Sequence, residues 1–217
     1  MNDAPIKSFF FKLKPKIHLL IDSAYFKNYF FLNKNVKSDI KKTFQNLNQI
    51  KWNLTIIVPN RTKQFLKKTI KNNKILIVEF PSMNYDFDSS LYLKLCSYLE
   101  LPPPRISVTI SALYLALISG NREIELIGAD QTIFKDFDIN QSNNEGFMNM
   151  KHFSSSKNNS YKYTHKLSGK KSESMFVRLL RSASCFKWFA YLAMIAKKNN
   201  INLKNKSFYS LIDSIER

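Results

Sequence analysis

Three short apolar segments, each ending in an acidic residue or followed by a proline or turn residue, constrain the fold more than any other feature of this sequence. They are KIHLLID (16 to 22), NLTIIVP (53 to 59) and KILIVEF (74 to 80). Continuous apolar segments of this length are typical of β-strands that are buried on both faces. Two segments with helical spacing separate them, SDIKKTFQNLNQI (38 to 50), with Ser38 as its N-cap, and RTKQFLKKTIKN (61 to 72). The order βαβαβ predicts a parallel sheet.

The second half of the chain continues this alternation. SVTISALYLALISG (107 to 120) predicts a helix that ends at Gly120, and REIELIG (122 to 128) predicts the next strand. A long helix is predicted over residues 174 to 200 with a break near residues 182 to 184, followed by a strand, INLKN, and a closing turn or helix. We therefore expect one α/β, Rossmann-like domain over residues 1 to 217, with a mostly parallel sheet and helices on both faces.

Residues 141 to 171 depart from this pattern. They are rich in Asn, Ser and Lys and contain few aliphatic side chains. Long polar connections inside compact domains are commonly active-site lids. We expect a mobile polar lid here.

The chain is strongly basic, with 34 Lys and Arg against 16 Asp and Glu, a formal charge of +18. Nucleic acid, an anionic membrane face and a phosphorylated substrate are the partners that such a charge attracts. Simple compositional drift explains it equally well, because the lysines are dispersed. No compact Arg-rich patch interleaved with aromatics occurs, which argues against specific nucleic-acid binding and leaves peripheral membrane contact open.

Cellular location is predicted from cysteine usage and hydropathy. Cys96 and Cys185 are far apart and lack metal-site spacing, which indicates a reducing compartment and predicts no metal site. There is no secretory signal pattern, and the apolar stretches are too short to span a bilayer. We expect a cytoplasmic protein that is either soluble or peripheral on the inner membrane.

Two features before and after the helix at 107 to 120 are candidates for ligand binding. Arg105, Ser107 and Thr109 lie where the helix begins, and the free amides of a helix N-terminus favour a phosphate. Asp130 follows the strand that ends at Gly128, where open α/β sheets bind ligands. The alternative for the first feature is ordinary helix capping by Ser107 or Thr109. The alternative for the second is that Gly128 makes a turn and Asp130 caps the segment that follows it.

The three histidines differ in their predicted roles. His18 lies inside an apolar strand and is expected to be a core residue. His152 and His165 lie in the polar segment, where each is either a solvated loop residue or an acid–base group that approaches a substrate when the lid closes.

The segment RISVTISALYLALISGNREIELIGAD (105 to 130) resembles the bacterial sialyltransferases of glycosyltransferase family 42 and related Rossmann-like enzymes of surface-polysaccharide loci. In those proteins an Arg-x-[Ser/Thr] turn leads into a helix, then a strand of the pattern G-[YF]-K-E-I-Y-L, then G-x-D. The resemblance implies a nucleotide-sugar donor, typically CMP-activated, and no separate cofactor. It places Arg105, Ser107 and Thr109 at the donor phosphate and Asp130 near the donor sugar.

Two further segments are similar to the same family. MNDAPIKSFFFKLKPKIHLLID (1 to 22) resembles its second strand and the following unit, so that Asn2 matches a nucleotide-contacting Asn and Asp22 matches the exit of the next strand. The C-terminal segment, residues 186 to 217, resembles the final helix, strand and N-S-L-[IL]-D ending, which places Ser210 near the nucleotide.

KHFSSS (151 to 156) is similar to an H-F-Y motif that precedes the last helix in some relatives, which favours His152 over His165 as the base. The family's first strand and its Gly-Asn-Gly-Pro-Ser phosphate-binding turn have no counterpart in this sequence. We therefore expect a sheet that lacks its first strand.

The resemblance implies an inverting glycosyltransferase that moves a sugar from a nucleotide donor to a cell-surface glycan acceptor. His152 would deprotonate the acceptor hydroxyl, and Arg105 with the helix start would stabilise the departing phosphate. Two alternatives stay open: a pyrophosphokinase-like nucleotide enzyme on the same scaffold, and a non-catalytic or truncated basic binding protein. The sequence makes no prediction of the oligomeric state.

Overall fold

The computed structural model describes residues 4–26, 34–81, 102–103, 107–132, 135, 137–142, 145–150, 159–162 and 175–217. The chain divides into two compact units, the first formed by Met1–Phe87 with Glu100–Ala112 and the second by Asp88–Leu99 with Leu113–Arg217. Parallel strands alternate with helices, so the predicted α/β class is confirmed. That the chain forms a single domain stays a prediction.

Five α-helices and eight β-strands are formed by the described residues. The helices are α1 (Ser8–Leu13), α2 (Lys34–Gln49), α3 (Lys63–Thr69), α4 (Val108–Ile118) and α5 (Met175–Lys198). The strands are β1 (Ile17–Leu19), β2 (Leu54–Pro59), β3 (Ile75–Phe80), β4 (Glu123–Leu126), β5 (Phe137–Asn140), β6 (Glu145–Met150), β7 (Asn159–Lys162) and β8 (Asn202–Asn205).

The first unit contains a parallel sheet in the order β1-β2-β3. Its three strands lie within the three apolar segments of the sequence, with α2 and α3 as the two connections, so the predicted βαβαβ order is confirmed. Helix α2 begins at Lys34, earlier than predicted, and Ser38 therefore lies one turn inside the helix rather than at its N-cap.

Strand β2 is the central strand of this sheet and supplies the middle of the core. Leu54, Ile56 and Val58 are fully buried together with Leu47 of α2 and Leu66 of α3. Because the inward side chains of β2 are all large and apolar, their burial against the two helices stabilises the sheet, at about 25 cal/mol for each Å² removed from water.

Asparagine side chains close the end of α2. The last carbonyls of a helix have no partner within it, and the Asn72 amide donates to the carbonyls of Leu47, Asn48 and Ile50 at 3.1, 3.3 and 2.9 Å. The Asn48 amide donates in turn to the carbonyl of Thr69 at 3.1 Å. These bonds hold the end of α2 against the turn between α3 and β3.

We predict that Asn72→Ala lowers the free energy of unfolding by about 2 kcal/mol, because half-buried carbonyls at the end of α2 lose their donor. Urea denaturation followed by circular dichroism measures this change. Asn73→Ala is the matched control, since Asn73 is the exposed neighbour, and it should change the stability by less than about 0.5 kcal/mol. Equal effects of the two substitutions would contradict the assigned role of Asn72.

The second unit contains a parallel strand pair, β4 with β8, and an antiparallel sheet in the order β5-β6-β7. Helix α5 packs against β8 and is continuous through residues 182 to 184, so the expected break is absent. Serine is tolerated within helices, which explains why two serines do not end this one. Gly120, with a φ of +75°, follows α4 in the left-handed conformation predicted for it.

Two parts of the segment expected to be a polar lid form strands. β6 and β7 lie inside residues 141 to 171 and pair with each other, Met148 opposite Tyr161. β6 and β7 are consecutive strands, but the local composition gives no sign of them, because Asn and Lys are depleted in strands.

Candidate functional site

The β4–β8 pair brings two strand exits to one edge. The strands are parallel, with Glu123 opposite Asn202 and Leu126 opposite Asn205, so both end at the same border. In open α/β sheets, ligands bind beyond the carboxyl ends of the strands. We call residues 127 to 131 and 206 to 211, which follow these two strands, the β4–β8 edge.

Two of the predicted nucleotide-binding residues, Asp130 and Ser210, meet at the β4–β8 edge. The backbone N–H of Leu211 donates to the carbonyl of Asp130 at 2.9 Å. The Ser210 hydroxyl donates to the carbonyl of Ala129 at 2.7 Å. Residues separated by about 80 positions in sequence are therefore neighbours in the fold.

The Ser210 side chain is a structural element of this edge. It is 8% exposed. Its oxygen accepts from the amide of Asn205 at 2.8 Å and from the backbone N–H of Ile212 at 3.2 Å, besides donating to Ala129. A hydroxyl has one donor and two acceptor sites. All three are used within the protein, so Ser210 positions the edge rather than offering a free hydroxyl to a ligand in this conformation.

Asn205 and Ser207 complete the buried network and were not identified from the sequence. The side-chain carbonyl oxygen of Asn205, Oδ1, accepts from the backbone N–H of Ser207 at 3.1 Å. The Ser207 hydroxyl accepts from the backbone N–H of Ala129 at 2.9 Å and donates to the carbonyl of Leu126 at 3.4 Å. The signal in the sequence is NKSFYS (205 to 210), in which an amide at the end of a strand is followed by two serines.

We predict that Asn205→Ala lowers the free energy of unfolding by about 2 kcal/mol, because fully buried acceptors and donors are left without partners. The Leu211–Arg217 end should also become sensitive to limited proteolysis, which mass spectrometry can locate. Asn202→Ala is the matched control, since Asn202 is exposed on the same strand. If both variants unfold and are cleaved alike, the network does not hold the edge.

The backbone at the exit of β4 directs alternate side chains inward and outward. Gly128 has a φ of +72°, a conformation that side-chain-bearing residues rarely adopt, and Gln131 follows at +55°. Ala129 between them is buried and Asp130 is exposed. Gly128 thus makes the turn that the sequence predicted, and the turn presents the Asp130 carboxylate to solvent.

The outward side of the β4–β8 edge carries two exposed aromatic rings. Phe208 and Tyr209 are 85% and 76% exposed, and their ring centroids are 4.6 Å apart in an edge-to-face arrangement. Such rings offer a stacking surface to a planar base or to the apolar face of a sugar. The Arg217 guanidinium donates to the backbone carbonyl of Ser210, the residue that follows Tyr209, at 3.2 Å.

An open cleft of about 480 Å³ lies over the outward face of the strand pair. It is lined by Glu123, Ile124, Glu125, Asn202, Lys204 and Lys206. Glu125 of β4 is opposite Lys204 of β8, so the carboxylates of this face lie along β4 and the ammonium groups lie along β8 and at Lys206.

The start of α4 shows ordinary capping. The Ser107 hydroxyl accepts from the backbone N–H of Thr109 at 3.2 Å, and the Ser107 carbonyl accepts from the backbone N–H of Ser111 at 3.2 Å. Ser107 is thus the N-cap, which was one of the two interpretations of this segment. Binding of a phosphate by Ser107 and Thr109 stays a prediction.

Asp22 lies after β1, at the strand exit predicted for it. Its carboxylate accepts from the backbone N–H of Ala24 at 2.9 Å and so caps the short 3₁₀ turn Ser23–Tyr25. His18 is the middle residue of β1. It is buried and contacts Phe10 edge to face, with ring centroids 5.4 Å apart. The predicted core role of His18 is confirmed.

Four of the predicted site residues lie outside the described residues. They are Asn2, Arg105, His152 and His165. Their roles stay predictions. Within the described part of the chain, no group of three or more His, Cys, Asp or Glu side chains is arranged to hold a metal ion.

Cys185 on α5 has an unreactive environment. Burial disfavours its thiolate and raises the pKa of the Cys185 thiol to about 11. Because the thiolate is the nucleophilic form, this cysteine is protonated and inert near neutral pH.

We predict that the Cys185 thiol reacts with iodoacetamide at pH 8 roughly 100-fold more slowly than an ordinary exposed thiol, because a pKa higher by two units reduces the thiolate fraction by that factor. A Cys96→Ala chain isolates the reaction of Cys185, and mass spectrometry follows it. The same variant in urea is the control and should react at the ordinary rate. Rapid labelling of the folded chain would show that the thiol is not desolvated.

Comparison with protein-family models, with curated protein sequences and with solved structures finds no significant match to this chain. Among the described helices, none combines the length and the apolar character that crossing a bilayer requires.

Proposed function

We propose that the protein is a glycosyltransferase that binds a nucleotide-sugar donor, in the first instance a CMP-sugar, at the β4–β8 edge. The observation that supports this most directly is the meeting of Asp130 and Ser210 at the ends of two parallel strands. The two residues belong to separate segments that each resemble the same enzyme family. Strand exits are where α/β proteins bind nucleotides.

The exposed groups of the edge match the parts of a nucleoside phosphate. The base stacks on one of the two largely exposed rings, Phe208 or Tyr209, with the other ring at its edge. The exposed Asp130 carboxylate accepts hydrogen bonds from sugar hydroxyls. Lys206 lines the cleft beside the strand pair, and the Arg217 guanidinium is bonded to the Ser210 carbonyl, so that each supplies a cation at this edge to attract the phosphate.

The proposed reaction transfers the sugar to an acceptor hydroxyl. The acceptor oxygen attacks the anomeric carbon, the bond from that carbon to the phosphate oxygen breaks, and the nucleotide departs with the bonding electrons. A general base removes the hydroxyl proton, a role that we assign to His152, with His165 as the alternative.

Thermal unfolding of the full chain with CMP, UMP, ADP, GDP and ATP, each with and without Mg²⁺, tests this function. A ligand at about 100 times its Kd stabilises a protein by about 2.7 kcal/mol, so CMP should raise the Tm by roughly 5–10 °C. Stabilisation by ATP only with Mg²⁺ would instead support a pyrophosphokinase-like enzyme. No shift with any nucleotide would contradict both and favour a non-catalytic binding protein.

We predict that Phe208→Ala and Tyr209→Ala each weaken CMP binding by roughly tenfold, because the base loses part of its stacking surface. Asp130→Asn should weaken binding of the CMP-sugar by a similar factor, because the carboxylate is the stronger acceptor. Isothermal titration calorimetry measures these affinities. Asp39→Asn is the matched control, since Asp39 is an exposed acid on α2, and it should leave the affinity unchanged. Unaltered affinity in the Phe208, Tyr209 and Asp130 variants would move the nucleotide site elsewhere.

A further inference from the structure

The first unit carries most of the charge of the chain. Its described residues 4–26 and 34–81 contain 15 Lys and Arg against 3 Asp and Glu, a net charge of +12 out of +18 for the whole sequence. Fourteen of these 15 cations are lysines. A charge of one sign concentrated on one compact unit attracts a polyanionic partner more strongly than the same charge dispersed over the chain.

One face of the β1-β2-β3 sheet is buried and the other is open. Side chains alternate along a strand, and Leu54, Ile56 and Val58 of β2 lie on the buried face. The register places the opposite set in two rows across the sheet. These residues, which we call the open apolar face, are Ile17, Thr55 and Leu76 in one row and Leu19, Ile57 and Val78 in the next.

The open apolar face is well exposed at both outer strands. Leu76 is 62% exposed and Val78 39% exposed on β3, and Ile17 is 54% exposed on β1. Parallel sheets ordinarily have both faces covered. Five of the six residues of this face are aliphatic, so the described residues leave a row of Ile, Leu and Val side chains in contact with water.

Lysines border this face where the strands begin. The carbonyl of Lys16 accepts from the backbone N–H of Thr55 at 2.9 Å, and the carbonyl of Lys74 accepts from the backbone N–H of Leu54 at 3.0 Å. Lys16 and Lys74 therefore lie on either side of the start of β2, and both are exposed. An aliphatic surface with an ammonium border is the combination found on proteins that bind the interface of an anionic membrane.

We propose that the first unit docks on an anionic lipid bilayer through the open apolar face. Ile17, Leu76 and Val78 enter the boundary between head groups and acyl chains, and Lys16 and Lys74 contact lipid phosphates. The inference does not depend on the proposed glycosyltransferase activity, since it concerns a different unit and different residues.

The composition of this surface favours lipid over the other polyanions and over a second copy. Nucleic-acid surfaces use Arg and exposed aromatic rings that stack on bases, whereas this face is aliphatic and its bordering cations are lysines. A second copy would bring a charge of +12 against an equal charge of the same sign. Anionic lipid provides both an apolar interior and negative charge.

Vesicle sedimentation of the full chain tests the proposal. Vesicles of phosphatidylcholine with one-third phosphatidylglycerol should bind the protein, and pure phosphatidylcholine vesicles should bind it at least tenfold more weakly. Leu76→Ser and Lys74→Glu should each reduce binding to the anionic vesicles by roughly tenfold. The matched controls are Met194→Ser, at a side chain that is also 62% exposed, and Lys197→Glu, both in the second unit. Equal losses in the controls, or no loss in the test variants, overturn the proposal.

A fluorescent reporter decides whether Leu76 enters the lipid. An environment-sensitive dye is attached at Leu76→Cys, and for comparison at Met194→Cys, in a chain that also carries Cys96→Ala and Cys185→Ala. With anionic vesicles the Leu76 site should shift its emission to the blue, and the Met194 site should not. A dye at the Leu76 site that already reports an apolar environment in buffer would show that protein covers this face and would overturn the proposal. Light scattering that gives a dimer dissociated by Leu76→Ser would do the same.

Discussion

The side-chain amide of Asn205 orients Ser207 and Ser210, whose hydroxyls hold the C-terminal segment against the end of β4, and the geometry of the candidate site depends on these bonds. Buried amide and hydroxyl groups are stable only when each is hydrogen-bonded, and here Asn205, Ser207 and Ser210 satisfy one another and the backbone of residues 126 to 129. Asn72 has the corresponding role in the first unit. The chain has four glycines. At both positions, hydrogen bonds of a buried or half-buried asparagine amide fix the segment that connects two elements.

The same network separates the two sides of the β4–β8 edge. Ser207 and Ser210 point inward and use their hydroxyls within the protein. Phe208, Tyr209 and Asp130 point outward and are exposed. Because the inward groups are rigidly bonded, the outward groups are presented from a fixed backbone, which reduces the entropy lost when a ligand binds.

The two parallel sheets show opposite chemistry on their outward faces. On β4 and β8 this face carries Glu and Lys side chains around an open cleft, and its interactions with water and small polar ligands are favourable. On β1, β2 and β3 the corresponding face is aliphatic and bordered by lysines. The alternation of side chains is the same in both sheets, so the difference lies wholly in which residues occupy the outward positions.

Local patterns in the sequence determined the strands β1 to β3, the helices between them, and the turns at Gly120 and Gly128, because apolar periodicity and the need for positive φ act over a few residues. They also placed Asp130 at a strand exit. Only the tertiary structure decided that Ser210 bonds to Ala129, that Asn205 organises the edge, and that β6 pairs with β7. The bond from Ser210 to Ala129 joins residues far apart in the chain, and the role of Asn205 depends on its burial. The pairing of β6 with β7 is local but runs against the low strand preference of Asn and Lys. A short segment of sequence specifies neither long-range contacts nor burial.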